Sequence, residues 1–95
     1  MFENLTFDEI EKLVEKGGKL IDVRSSMEFV QGAISGAVNI PLESFQHASN
    51  SLDKTKPVIL YCRSGQRSGM AKQFLETIGF SEVYNIGGYQ NYASF

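Results

Sequence analysis

The stretch that decides the fold is VILYCRSGQRSGMAKQFLETIG, residues 58–79. It opens with an apolar run, VILYC, that shows no alternation and follows Pro57, a residue suited to the start of a buried strand. It closes with SGMAKQFLETIG, whose spacing places Met70, Phe74, Leu75 and Ile78 on the inward side of a helix beginning near Ser68. Between them lies CRSGQRS, which carries the single cysteine of the chain, Cys62. Strand, loop and helix in that order form one unit of a parallel sheet.

The pattern repeats outward from this unit. LTFDEIEKLVEKGG, residues 5–18, has Thr6 as a cap, Glu9 as its capping-box partner and Leu5 with Ile10 as a hydrophobic staple. Ile10, Leu13 and Val14 make one apolar stripe, and Gly17–Gly18 ends the helix. KLIDVR, residues 19–24, reads as a short buried strand. Ser25 and Glu28 repeat the capping box, so SSMEFVQG is a brief helix closed at Gly32. A short strand over Ala37–Ile40 is stopped by Pro41. ESFQHASNSLDKTK, residues 43–56, reads as one helical turn and loop, SEVYNIGG as a last strand, and YQNYASF as a final turn or two of helix. The aromatic residues Phe29, Phe74, Phe80 and Tyr84 sit at core-like positions. The fold expected is α/β, a central, mostly parallel sheet of four to five strands with helices on both faces, in one domain over residues 1–95.

Composition narrows the function. The 95 residues are 42% hydrophobic and 21% charged, with a formal net charge of -2. A domain of this size buries roughly 60–65% of its unfolded surface, so only ordinary stability is expected. No basic footprint points to nucleic acid. No apolar run approaches the roughly 20 residues that span a bilayer, and the acidic N-terminus does not resemble a signal peptide. A lone cysteine forms no internal disulfide. The expectation is a soluble cytoplasmic protein, outside membranes, whose thiol stays reduced. Asp, Glu and His show no metal-ligand spacing, His47 sits in a polar segment without a partner, and no cofactor is implied. GGYQNY lacks the lysine and following helix of a nucleotide loop.

In an open parallel sheet, ligands sit beyond the carboxyl ends of the strands, which is where Cys62 falls. The loop then supplies backbone N–H groups, a helix start, the positive charges of Arg63 and Arg67, and Gly65 to let the backbone curl. Such surroundings favour a thiolate. A cysteine that merely filled a core would not need that loop. Two chemistries fit an anion cradle around a thiolate. One is hydrolysis of phosphate esters, whose loops resemble C-x5-R; Arg67 gives C-x4-R, one residue short. The other is attack on sulfane sulfur, with a persulfide on the cysteine and two half-reactions.

The chain resembles the single-domain rhodaneses, the thiosulfate sulfurtransferases. CRSGQRS is similar to that family's six-residue active-site loop, here Cys62 to Arg67 with Ser68 trailing. LIDVRSSMEFVQGAISGAVNIP resembles its N-terminal signature through Asp22, Val23, Arg24, Glu28, Phe29, Gly32, Ile34, Gly36, Ala37, Asn39, Ile40 and Pro41. NIGGYQNY resembles its Gly-Gly segment. The resemblance implies a rhodanese-like fold with Cys62 as nucleophile and persulfide carrier. It implies an anion cradle of Arg63, Ser64, Gly65, Gln66, Arg67 and Ser68, in which Arg63 and Arg67 attract the donor and Ser64 and Ser68 offer hydroxyls. The strand Asp22–Arg24 would lie beside the loop in a supporting role. The implied partners are a small anionic sulfur donor and an acceptor: cyanide in vitro, or a thiol, a thioredoxin-like protein or another sulfur carrier. An arsenate reductase or phosphatase on the same fold and a non-catalytic binding module are the alternatives. Two positions depart from the family. Ala33 stands where His is frequent, implying a lost contact, and Tyr92 stands where Trp is frequent, implying a changed wall near the site. Ending at Phe95, the chain is expected to be close to a minimal version of the fold.

Overall fold

A computed structural model describes residues 3–92. The helices are α1 (Phe7–Glu15), α2 (Ser26–Val30), α3 (Leu42–Ala48) and α4 (Gln66–Thr77). The strands are β1 (Lys19–Asp22), β2 (Val38–Asn39), β3 (Val58–Cys62) and β4 (Val83–Gly88). They form one sheet in the order β2-β1-β3-β4, and every pairing is parallel. The lower end of the expected strand range is therefore met, with no antiparallel edge among the described residues. The final segment begins with a 3-10 turn over Tyr89–Asn91; residues 93–95 of the expected helix lie outside the described residues.

The period of two along β3 divides the core. Val58, Leu60 and Cys62 face α3 and α4, with Phe45, Ala71, Leu75 and Phe80. Ile59 and Tyr61 face the other way, with Ile10 of α1, Ile34, Ile86 and Tyr92. All five residues of β3 are buried, which is why its sequence shows no alternation.

Both capping boxes form as read. Thr6 Oγ1 accepts from the Glu9 N–H and Glu9 accepts from the Thr6 N–H; Ser25 and Glu28 do the same. Three details differ from the sequence reading. α4 begins at Gln66, two residues before Ser68, because Gly65 adopts φ 93° and turns the chain directly into the helix. Met70 is 62% exposed instead of inward. The face of α4 against the sheet uses the small residues Ser68 and Ala71 with Leu75, and Met70 lies about 100° off that line. Segment 43–56 holds more helix than one turn: α3 runs seven residues from Leu42, anchored by buried Phe45, whose ring meets Phe74 edge-on at 6.4 Å. Of the four aromatic residues assigned to the core, Phe80 is buried, while Phe29, Phe74 and Tyr84 are partly buried.

Candidate active site

Cys62 ends β3 and is fully buried. Only Arg63, Ser64 and Gly65 separate it from α4. Gly65 turns the loop back so that its own N–H donates to Cys62 Sγ at 2.9 Å. The Ser68 hydroxyl, on the first turn of α4, stands 3.4 Å from the same sulfur. Burial pushes the thiol up, but the Ser68 hydroxyl and the N–H groups of Ser68, Ser64 and Gly65 outweigh it, so the thiol sits below its ordinary pKa.

The Gly-Gly segment closes on this loop. The β3–β4 register shifts between Leu60 and Cys62, so Cys62 lies opposite Gly88. A Cβ on Gly88 would stand 2.5 Å from the Arg63 carbonyl oxygen. Only glycine allows that approach of two backbones.

The arginines divide. Arg67 donates from Nη1 and Nη2 to Glu28 Oε1 and Oε2 at 2.9 and 3.1 Å. This two-pronged contact holds Glu28 at about 2, well below its usual range. It also raises the Arg67 pKa, with the charge of Cys62 a smaller contributor, so Arg67 lies within electrostatic reach of the sulfur. Arg63 is exposed and takes part in no ion pair among the described residues. It lines a recess of about 320 Å³ together with Arg24, Glu28, Gln31, Tyr89 and Gln90. A larger hollow of about 840 Å³, beside Glu43, His47, Phe74 and Ile78, contains none of the loop residues and has no part in this chemistry.

Asp22 and Arg24 do lie beside the loop, since β1 pairs with β3. Arg24 Nε donates to both Asp22 oxygens at 2.9 Å, and Nη2 donates to the Gly32 carbonyl at 2.7 Å. Its guanidinium lies 4.4 Å from the Tyr89 ring centre and 5.7 Å from that of Tyr61. The Tyr61 hydroxyl accepts from the Ile34 N–H at 3.0 Å, fixing the turn that follows Gly32. Arg24 therefore walls the recess with its charge balanced by Asp22. Tyr92 does not line that recess. It belongs to the apolar cluster on the α1 side, where its hydroxyl donates to the Leu5 carbonyl at 2.8 Å, and Tyr89 supplies the aromatic wall.

The residues brought together are thus Cys62, the loop N–H groups, Ser68, Arg67 and, at the rim, Arg63. Gln66 starts α4 with an exposed side chain. The sequence reading missed Asn85. Its Oδ1 accepts from the Ser68 hydroxyl at 2.7 Å and from the Gly87 N–H at 3.0 Å, and its Nδ2 donates to the Gly65 carbonyl at 3.1 Å. A polar residue amid the apolar VYNIGG strand was the available signal.

Comparison with known proteins identifies the family. The model of the rhodanese-like domain matches residues 6–95. The uncharacterized protein YqhL of Bacillus subtilis is 42% identical over 88 residues, covering 93% of this chain and 69% of that protein. The thiosulfate sulfurtransferase PspE of Escherichia coli is 39% identical over 75 residues, covering 77% of this chain and 72% of that one. A solved structure of a rhodanese with anions from E. coli superposes with TM-score 0.70 at 36% identity, covering 78% of this chain and 89% of that one. The chain belongs to the rhodanese-like family.

Proposed function

We propose that this member of the rhodanese-like family is a sulfurtransferase that works through a persulfide on Cys62. The observation that carries the reading is the buried Cys62 sulfur, met at 2.9 Å by the Gly65 N–H and approached at 3.4 Å by the Ser68 hydroxyl. Donors aimed at that sulfur stabilise it as the thiolate that attacks the donor and as the thiolate released when the persulfide gives up its outer sulfur. The relative PspE is named a thiosulfate sulfurtransferase, and the activity assigned here follows that name.

In the first half-reaction the Cys62 thiolate attacks the outer sulfur of thiosulfate. The S–S bond of the donor breaks, sulfite leaves with the bonding pair, and Cys62 carries a persulfide anion. In the second, cyanide or a thiolate attacks that outer sulfur, and Cys62 leaves as a thiolate. A small persulfide can replace thiosulfate as donor. A thiol, a thioredoxin-like protein or another sulfur carrier serves as acceptor, in a reducing compartment such as the cytoplasm. Arg63 draws the anionic donor to the rim of the loop, and Arg67 holds positive charge near the sulfur. Four residues between Cys62 and Arg67 make a smaller ring of N–H groups than the five of a C-x5-R loop, which disfavours phosphate esters.

The test is the intact mass of the reduced protein after thiosulfate, with Cys62→Ser alongside. A gain of one sulfur atom in the parent alone, removed by cyanide, is expected. No gain from thiosulfate or from persulfide donors would overturn the reading. Cys62-dependent turnover of an aryl phosphate would then favour the phosphatase alternative, and inertness with a stable protein partner would favour a binding module.

A further inference from the structure

We propose that Asn85 is a positioning residue for Cys62, holding the Ser68 hydroxyl proton while the sulfur is neutral and yielding it when the sulfur is charged. The inference rests on Cys62 being the working thiol. Ser68 Oγ has one proton and two acceptors in reach, Asn85 Oδ1 at 2.7 Å and Cys62 Sγ at 3.4 Å. It can serve only one at a time. The shorter contact goes to Asn85.

The orientation of the Asn85 amide is fixed by its neighbours. The Gly87 N–H can only donate, at 3.0 Å, so the atom facing it is Oδ1. The Gly65 carbonyl can only accept, at 3.1 Å, so the atom facing it is Nδ2. Ser68 is fully buried and Asn85 is 4% exposed, so water does not replace a lost partner. Asn85 Oδ1 keeps the Gly87 N–H when the serine proton turns away, and is never left without a donor. A charged sulfur is the stronger acceptor and draws the proton over. When the sulfur is protonated, the hydroxyl returns to Asn85. No proton is gained or lost by Ser68; only its partner changes.

Asn85 also ties down the second donor to the sulfur, since Gly65 is held through its carbonyl while its N–H meets Cys62. The hub itself is anchored from outside. The Asn85 N–H donates to Glu3 Oε1 at 2.6 Å, its carbonyl accepts from the Glu3 N–H at 2.9 Å, and Lys72 of α4 pairs with Glu3. The other charges around the sulfur are Arg67 with Glu28 from α2, and Arg63 on the loop; Asp22 and Arg24 of the β1 end close on each other.

The test reads the thiol's own titration, so it stands or falls separately from sulfur transfer. In the unaltered protein, the Gly87 amide and the Asn85 side-chain amide are followed by NMR across the pH range in which Cys62 ionises. Both are expected to shift with the midpoint found from alkylation rates; resonances that ignore that midpoint would overturn the proposal. The second arm places Asn85→Asp in the parent and in Ser68→Ala. A carboxylate grips the hydroxyl, so the midpoint is expected to rise by about one unit more in the parent than in Ser68→Ala. Equal rises would mean the charge acts on the sulfur directly and Asn85 does not work through Ser68. If Asn85→Asp fails to fold, the NMR arm decides alone.

Discussion

Two arginine–carboxylate pairs flank the Cys62 loop, and they differ in almost every physical respect. Asp22 and Arg24 are two residues apart, and their side chains are 0% and 6% exposed. Glu28 and Arg67 are 39 residues apart, and theirs are 29% and 35% exposed. The first pair fixes the end of β1, binds the Gly32 carbonyl and packs on Tyr61 and Tyr89. The second ties α2 to the first turn of α4, beside the sulfur. A buried local pair has no alternative partner, so it carries architecture. A half-exposed pair is screened by water, so it contributes little stability and leaves its charge available to the site.

Several substitutions would break or sharpen that contrast, taken in descending order of effect on stability. Asp22→Ala leaves Arg24 buried without its partner and is expected to cost about 3–5 kcal/mol in denaturant unfolding. A loss below about 1 kcal/mol would make it equivalent to a surface pair. Arg67→Ala is expected to cost no more than about 1 kcal/mol. It should slow sulfur loading from thiosulfate about tenfold, the size of one charge-assisted contact. Equal loading by variant and parent would remove Arg67 from the chemistry.

Glu28 supplies a pH signature. Its folded pKa, about 2, lies below the ordinary 4.5. The stability it contributes is therefore complete above about pH 4.5 and is lost as pH falls through about 2. Glu28→Gln keeps the capping contacts but lacks the carboxylate's contribution at every pH, so its urea midpoint should fall below the parent's at neutral pH and converge with it as pH falls towards 2, which flattens the acid limb. An acid limb identical to the parent's would show that the Arg67 contact does not persist in solution. Arg63→Ala comes last. With no ion pair to lose among the described residues, it should leave stability within about 0.5 kcal/mol. It should raise the thiosulfate KM severalfold; an unchanged KM would break its role as the anion-attracting rim.

How much of this was readable in advance follows from range along the chain. The capping boxes of Thr6 with Glu9 and Ser25 with Glu28 are three-residue patterns, and both formed. The burial of β3 was readable because an uninterrupted apolar run has no polar face to show water. The inward face of α4 departs from its hydrophobic pattern at Met70, because the closeness of the sheet and not hydrophobicity alone selects the residues that face it. Ser68 and Ala71 fill that face, and there small side chains let the helix approach Asn85. The helix over Leu42–Ala48 was underestimated because its support is tertiary: Phe45 against Phe74 of α4.

By itself the sequence determined the βα alternation, the place of Cys62 at the end of a buried strand, and the loop with its glycine and arginines. These are matters of local spacing and side-chain type, which act over a few residues. Tertiary structure alone decided which charges are free. It closed Arg24 on Asp22, joined Arg67 to Glu28 and left Arg63 at the rim. It also brought Asn85 of β4 against Ser68 of α4 and Gly65 of the loop. Residues 17 and 20 positions apart meet there because a parallel crossover returns the chain to the same end of the sheet, and no local pattern encodes that encounter.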